Sequence, residues 1–373
     1  MSTDLIKEIE KELAKVSDPE LHRPITELRM VESIELVAGT AKISILLTIS
    51  GCPMRDRLTK DVTEAALKVS QVSNVEIQFG VMNDEQRDFV KKLIRGGREK
   101  FIPFAQPDSL TRVIGIASGK GGVGKSSLTV NLAVALAMRG FKVGLLDSDV
   151  YGHSIPRTLG VEGVRPTAID QTFIPVEAYG VKTVSIEMFK PDRADPVAYR
   201  GPLLHRVLEQ LLSDAYWGDL DFLLLDLPPG TGDIAISLGQ LIPNSEIIVV
   251  TTPQVAAAEV AERAGRIAHQ LKQQIIGVIE NMSPYFDSGK KVSLFGEGGG
   301  EETAKRLSVL VGADVPLLGK IPFDISLREG GDSGRPVVSE SPDSPAAIEI
   351  SKVIEQLLLR KKSLVGVRLG LST

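Results

Sequence analysis

Eight consecutive residues, Gly119-Lys120-Gly121-Gly122-Val123-Gly124-Lys125-Ser126, fit the spacing G-x-x-x-x-G-K-[ST], and each residue type has a use in holding phosphate. Glycines let the main chain wrap phosphate oxygens without a Cβ in the way, and backbone N–H groups at a helix start favour a polyanion. Lys125 would neutralise the β- and γ-phosphates of ATP and Ser126 would offer its hydroxyl oxygen to Mg²⁺, with Ser127 the last residue expected to touch nucleotide. Acids supply the rest of such a site. Asp147 and Asp149 follow the apolar run Leu145-Leu146, two residues apart, and Asp226 follows Phe222-Leu223-Leu224-Leu225. Ligands of open α/β sheets bind at the carboxyl ends of strands, so Asp226 is expected to bind Mg²⁺ directly or through water. Asp147 and Asp149 fit the same site, although strand-end acids also serve as helix caps. The Pro228-Pro229-Gly230 that follows Asp226 stiffens and then frees the backbone, as a segment sensing the γ-phosphate would need.

To position these residues, the chain must place the loop between a strand and a helix. Apolar strands are expected at 113–117, 143–146, 181–186, 222–225, 246–251, 275–279 and 316–319, alternating with helices at 126–139, 203–212, 255–271, 301–310 and 346–359. That alternation predicts an α/β fold, a doubly wound, mostly parallel sheet covered by helices on both faces. Ahead of it, residues 1–95 read as a small α+β domain: a helix through Leu5, Ile6, Ile9 and Leu13, a hairpin around Ala38-Gly39-Thr40, a helix near 54–69, a strand near 75–79 and a helix near 84–94. Residues 96–110, with glycine, proline and charge but no periodicity, read as a linker. The nucleotide-binding domain would run over 111–360 and a loose tail over 361–373.

The chain has 373 residues, 43% hydrophobic and 24% charged, enough apolar material for two or three domains. Its formal charge of −5 gives no general attraction for nucleic acid, and none is expected as a partner. The N-terminal residues lack the basic-then-apolar pattern of an export signal, and no apolar run approaches the ~20 residues of a membrane span. A cytoplasmic protein without stable membrane insertion is expected. Cys52 is the one cysteine, which excludes intrachain disulfides and four-thiolate metal sites within one chain.

Lys120, a second lysine inside the loop, makes the segment resemble the deviant Walker A signature K-G-G-x-G-K-[ST] of the MinD/ParA/nitrogenase iron-protein class. The resemblance implies a homodimer with nucleotide between its subunits, Lys120 reaching the partner's phosphates, Asp149 positioning water, Asp147 as a further Mg²⁺ partner and Asn281 recognising adenine. Further segments narrow it: Arg200-Gly201-Pro202, Trp217-Gly218-Asp219, Thr251-Thr252-Pro253-Gln254 and Glu280-Asn281-Met282-Ser283. Together these look like the Mrp/ApbC family of iron–sulfur cluster carrier ATPases. Asp18-Pro19-Glu20 and Ser50-Gly51-Cys52-Pro53-Met54 resemble the small SufT-like domain that precedes many of them. The resemblance implies ATP and Mg²⁺ as cofactors, a 4Fe–4S cluster as cargo, and apoproteins and cluster-assembly factors as partners. One departure stands out. Family members usually carry C-P-x-C shortly after E-N-M-S, whereas residues 282–299 contain no cysteine here, and Asp287, Lys290 and Lys291 read as an exposed turn in its place. Cys52 is then the remaining iron–sulfur ligand candidate, with Asp18 and Glu20 as possible neighbours. It precedes a predicted helix whose N-terminus would favour a thiolate, although a lone cysteine is also commonly an inert core residue. The same loop also suits a cluster-free, MinD/ParA-like regulatory switch acting through a partner protein. The four histidines, His22, His153, His205 and His269, read as ordinary surface or core residues.

Overall fold

The computed structural model describes residues 2–48, 54–94, 101–106, 108–150, 152–169, 172–190 and 202–360. Two compact units result, one of residues Met1–Phe101 with Thr167–Ile174, the other of Ile102–Pro166 with Pro175–Thr373.

In the first unit, α1 (Ser2–Leu13) is followed by β1 (Val31–Val37) and β2 (Thr40–Leu47), an antiparallel hairpin. Its turn places Ala38 and Gly39 at φ +49 and +80, and a Cβ on Gly39 would press on Ser73. Then come α2 (Arg55–Ala66), β3 (Asn74–Val81), parallel to β2, and α3 (Asp84–Ile94). Alternation along β2 turns Ile43 and Ile45 inward, where they are buried together with Ile9, Leu13, Leu58 and Val62. This is the expected α+β arrangement. Asp18 is buried too, and its Oδ1 accepts the N–H groups of Glu20 and Leu21, while Glu20 accepts a hydrogen bond from Thr167. Both acids offered as neighbours of a metal are thus engaged in internal hydrogen bonds. Cys52 lies outside the described residues.

The second unit has β4 (Arg112–Ser118), α4 (Lys125–Ala137), β5 (Val143–Asp147) and α5 (Ile155–Thr158). A hairpin of β6 (Thr167–Ile169) and β7 (Thr172–Ile174) leaves it to join the first unit, after which β8 (Val176–Ala178), β9 (Val181–Ser185) and α6 (Pro202–Ser213) resume. The chain continues through β10 (Phe222–Asp226), α7 (Asp233–Leu241), β11 (Glu246–Thr251), α8 (Val255–Gln270) and β12 (Gln274–Ser283). It ends with the hairpin β13 (Tyr285–Asp287) and β14 (Lys290–Val292), α9 (Gly299–Val311), β15 (Leu317–Pro322), α10 (Ile325–Ser333), α11 (Val337–Glu340) and α12 (Pro345–Leu359). Eight strands form one sheet in the order β15-β12-β11-β4-β10-β5-β9-β8, all parallel except β8. From β4 the chain runs outward to β5 and β9 on one side and to β11, β12 and β15 on the other. The crevice beyond the carboxyl ends of β4 and β10 is therefore the switch point where such sheets bind ligands.

Three departures from the sequence expectation have physical reasons. Part of the expected linker is folded: Phe104 in a 3₁₀ turn, Pro103–Ala105, is buried with its ring edge-on to Trp217, centroids 6.2 Å apart. β6 and β7 are only three residues each, too short to show a period. α4 is buried almost all round from Leu128 to Leu136, as a helix in the middle of a sheet's covering layer must be, so it lacks the one-sided stripe of a surface helix.

Candidate functional site

The loop leaves β4 at Ser118 and enters α4 at Lys125, with Gly124 as the helix N-cap. Gly119 is required by close packing: a Cβ there would sit 2.3–2.5 Å from the backbone of Val260 and Ala261 on α8. Gly122 and Gly124 both adopt φ +78, a region where side chains are strained, and a Cβ on Gly124 would meet the Asn281 amide at 2.3 Å. Gly121 and Gly122 look onto open space, with nothing within 4 Å of a Cβ on Gly122 and only Pro229 near one on Gly121. A main chain bent this way, closed behind and open in front, is a cradle of the kind that takes phosphates. Val123 is buried beneath it, and Asn281 Nδ2 donates to the Val123 carbonyl at 2.9 Å, bracing the loop from β12.

The acids meet through strand register. Asp226 on β10 is paired with Asp147 on β5, and Asp147 in turn with Ser185 on β9, so the three residues form a row across adjacent strand ends. Asp226 is fully buried and receives three hydrogen bonds: Lys125 Nζ on Oδ1 at 2.6 Å, Ser126 Oγ on Oδ2 at 2.6 Å and Thr129 Oγ1 on Oδ1 at 2.9 Å. The sequence reading overlooked Thr129, although it lies four residues beyond Lys125 and hence on the same helical face. Lys125 and Ser126 are therefore gathered on the acid expected to bind Mg²⁺. Mg²⁺ uses few protein ligands besides phosphate oxygens and water, and Ser126 with Asp226 fits that donor set. Among the described residues no group of three or more His, Cys, Asp or Glu forms a metal cage.

Asp147 accepts from Ser185 Oγ at 3.0 Å and from the Asp149 N–H at 3.2 Å. Burial pushes its carboxyl up to about 8, assisted by repulsion from Asp226 and, more weakly, Asp149, while Lys125 and Ser185 pull the other way. The folded protein thus holds this proton more tightly than the unfolded chain, whose carboxyl titrates near 3.8. The resulting stabilisation is complete below that value and disappears as pH rises through about 8. Asp147→Asn, which cannot lose a proton, should gain on the wild type as pH rises. In melts with chelator and no nucleotide, the variant should melt roughly 4 °C or more above wild type at pH 8.5 and lose that lead at pH 5. A difference that stays constant between those pH values would contradict the assignment.

Asp149 is buried, and its Oδ1 accepts the Gly152 N–H at 2.9 Å. Lys120 is placed differently from Lys125: its Nζ turns outward and donates to Gln254 Oε1 on the surface at 2.9 Å. Glu280, beside Asn281, is another residue the sequence reading passed over as a scaffold. Its buried carboxylate accepts from Ser283 Oγ and from the Gly300 N–H, both at 2.7 Å, and so fixes the start of α9. The β13–β14 hairpin carries Asp287, Lys290 and Lys291 exposed, as expected of a surface turn.

The family model described as NUBPL iron-transfer P-loop NTPase matches residues 109–358. This chain belongs to that family. A second model, described as iron-sulfur cluster assembly protein, matches residues 6–79. Among curated relatives, a protein named iron-sulfur cluster carrier protein from Mycobacterium tuberculosis is 55% identical over 99% of this chain and 97% of its own length. One of the same name from Deinococcus radiodurans is 39% identical over 92% of each. A solved nucleotide-binding protein from Archaeoglobus fulgidus, in complex with ADP, is 33% identical with a TM-score of 0.53, covering 66% of this chain and 96% of that one. As a member of the NUBPL-type P-loop NTPases the chain is an ATPase, and its phosphate cradle and acids are the parts such chemistry needs. No helix among the described residues is long and apolar enough to cross a membrane.

Proposed function

We propose that this protein is an ATP-driven iron–sulfur cluster carrier that works as a homodimer and hands its cargo to apoproteins, receiving it from cluster-assembly factors. The observation that carries the reading is the joining, in one chain, of an iron-transfer NTPase with an iron–sulfur assembly unit. Gly119 to Ser127 hold the phosphates of ATP, Lys125 neutralises them, and Ser126 and Asp226 hold Mg²⁺ with Asp147 behind them. Asn281, braced against the loop, meets the adenine edge. Asp149 positions the attacking water. Binding phosphate requires Lys125 to exchange Asp226 for phosphate oxygens, so nucleotide and the Asp226 end of β10 are coupled through one ammonium group. Support for Lys120 acting in a partner's site comes from its outward direction onto Gln254.

Cargo is bound through Cys52, the single thiol of each chain. Two subunits supply two thiolates, fewer than the four cysteines that usually hold a 4Fe–4S cluster, so the remaining ligands come from elsewhere, as suits a cargo that must leave. Anaerobic reconstitution with iron and sulfide tests this in wild type and Cys52→Ser. Expected is iron retained by the wild type and passed to an apoprotein, with retention reduced at least about tenfold in the variant. The absence of cysteine from residues 282–299 favours a second reading, a cluster-free switch ATPase acting through a partner protein. Iron retained by neither protein would select it.

A further inference from the structure

Around Asp147, the last residue of β5, and Asp149 just beyond it, hydrogen bonds and one close histidine–carboxylate approach form a closed circuit. Asp147 Oδ2 accepts from Ser185 Oγ at 3.0 Å, and Ser185 Oγ accepts from the Glu187 N–H at 3.3 Å, capping the 3₁₀ helix Ile186–Phe189. The Glu187 carboxylate, 4% exposed, lies 3.0 Å from His153 Nδ1, whose side chain is 17% exposed. His153 follows Gly152 in the chain, the Gly152 N–H holds Asp149 Oδ1 at 2.9 Å, and the Asp149 N–H returns to Asp147 Oδ1 at 3.2 Å. Glu187 and Ser185 belong to a regular strand end and the helix it caps. Asp149 and His153 belong to the irregular stretch between β5 and α5, which has no sheet or helix ladder of its own. The 3.0 Å approach of His153 to Glu187 therefore ties this stretch to the end of β9 at a buried point.

We propose that His153, held by Glu187, is a positioning residue for the ATPase reaction: it latches the segment after β5 so that Asp149 keeps one place beside Asp147 and Asp226. The proposal rests on the reading that Asp149 positions water. His153 touches neither nucleotide nor metal in this role; it acts by limiting where the Asp149 carboxylate can go. Misplacement of a catalytic group by about 1 Å can cost on the order of 100-fold in rate. Loss of the latch should therefore lower kcat and leave nucleotide affinity alone, because the phosphate cradle is built from β4, α4 and α8.

The test uses the full-length protein and three variants. Asp149→Asn measures the reading beneath the proposal, His153→Ala removes the latch, and His153→Asn restores a polar group at nearly the place of Nδ1. Expected for His153→Ala is a kcat lowered about 10- to 100-fold with the Kd for ATP within about twofold of wild type, and for His153→Asn recovery of most of that loss. In an Asp149→Asn background, His153→Ala should add little, since residues acting as a unit are non-additive. If Asp149→Asn turns over ATP normally, the water-positioning reading falls and the latch with it. If Asp149→Asn is impaired but His153→Ala keeps kcat within twofold, the latch alone is refuted. A His153→Ala protein that loses ATP affinity as much as kcat, with no recovery in His153→Asn, would show a merely structural histidine and equally overturn it.

Discussion

Lys125→Ala should reduce the affinity for ATP at least about 100-fold, some 2.7 kcal/mol or more, and should also destabilise the fold. The two effects have separate origins. Nucleotide loses the ammonium group that neutralises its terminal phosphates. Asp226, with no exposed surface, loses the cation 2.6 Å away and keeps only the hydroxyls of Ser126 and Thr129. Removing one partner of a buried pair costs about 3–5 kcal/mol, because the other charge stays behind unscreened. Adding Asp226→Asn to Lys125→Ala should restore much of the melting temperature and none of the nucleotide binding. Calorimetric titration together with melts of the single and double variants separates the terms. ATP binding within a few-fold of wild type in Lys125→Ala would refute the assignment of the loop.

Lys120→Ala should show the opposite pattern. Its Nζ contact with Gln254 is an exposed hydrogen bond, and exposed polar contacts contribute little to stability, so melting temperature and nucleotide binding by the monomer should barely change. Turnover should fall by at least about 100-fold, since a cation supplied across an interface to a transferring phosphoryl group is worth roughly 10³–10⁵ in rate. Mixing experiments sharpen the result: Lys120→Ala combined with a subunit unable to bind ATP should regain activity only if lysine from the second subunit reaches the first one's site. Phosphate release at normal rates from Lys120→Ala would rule out action in trans.

The chemistry of the loop was legible in the sequence because its residue types are local and their spacing is fixed by the chain. Gly119, Gly122 and Gly124 each turn out to occupy a place where a Cβ is excluded or strained, and Lys125 and Ser126 converge on Asp226, one of the two acids expected at Mg²⁺. The strands that carry them were legible as well, since strands buried on both faces are apolar throughout. What stayed hidden was non-local. That Ser185, Asp147 and Asp226 stand in one row follows from the pairing of β9, β5 and β10, strands up to about 80 positions apart, and strand pairing leaves no mark in the order of residues. His153 and Glu187 meet across more than thirty positions, a contact that the order of residues does not mark either. β6 and β7 were invisible because three residues carry no period.

The burial of α4 on nearly every side bears on how the molecule can move. A helix packed against β4, β5, β9, β10, α5, α11 and α12 at once can open only when much of the sheet opens with it, which places it among the last elements to yield in thermal fluctuation. The floor under the phosphates is accordingly stiff, and whatever difference exists between ATP and ADP must be absorbed outside it. A seat this rigid keeps its grip on whichever nucleotide remains, so on the reading proposed above hydrolysis is felt elsewhere in the molecule and not in the seat itself.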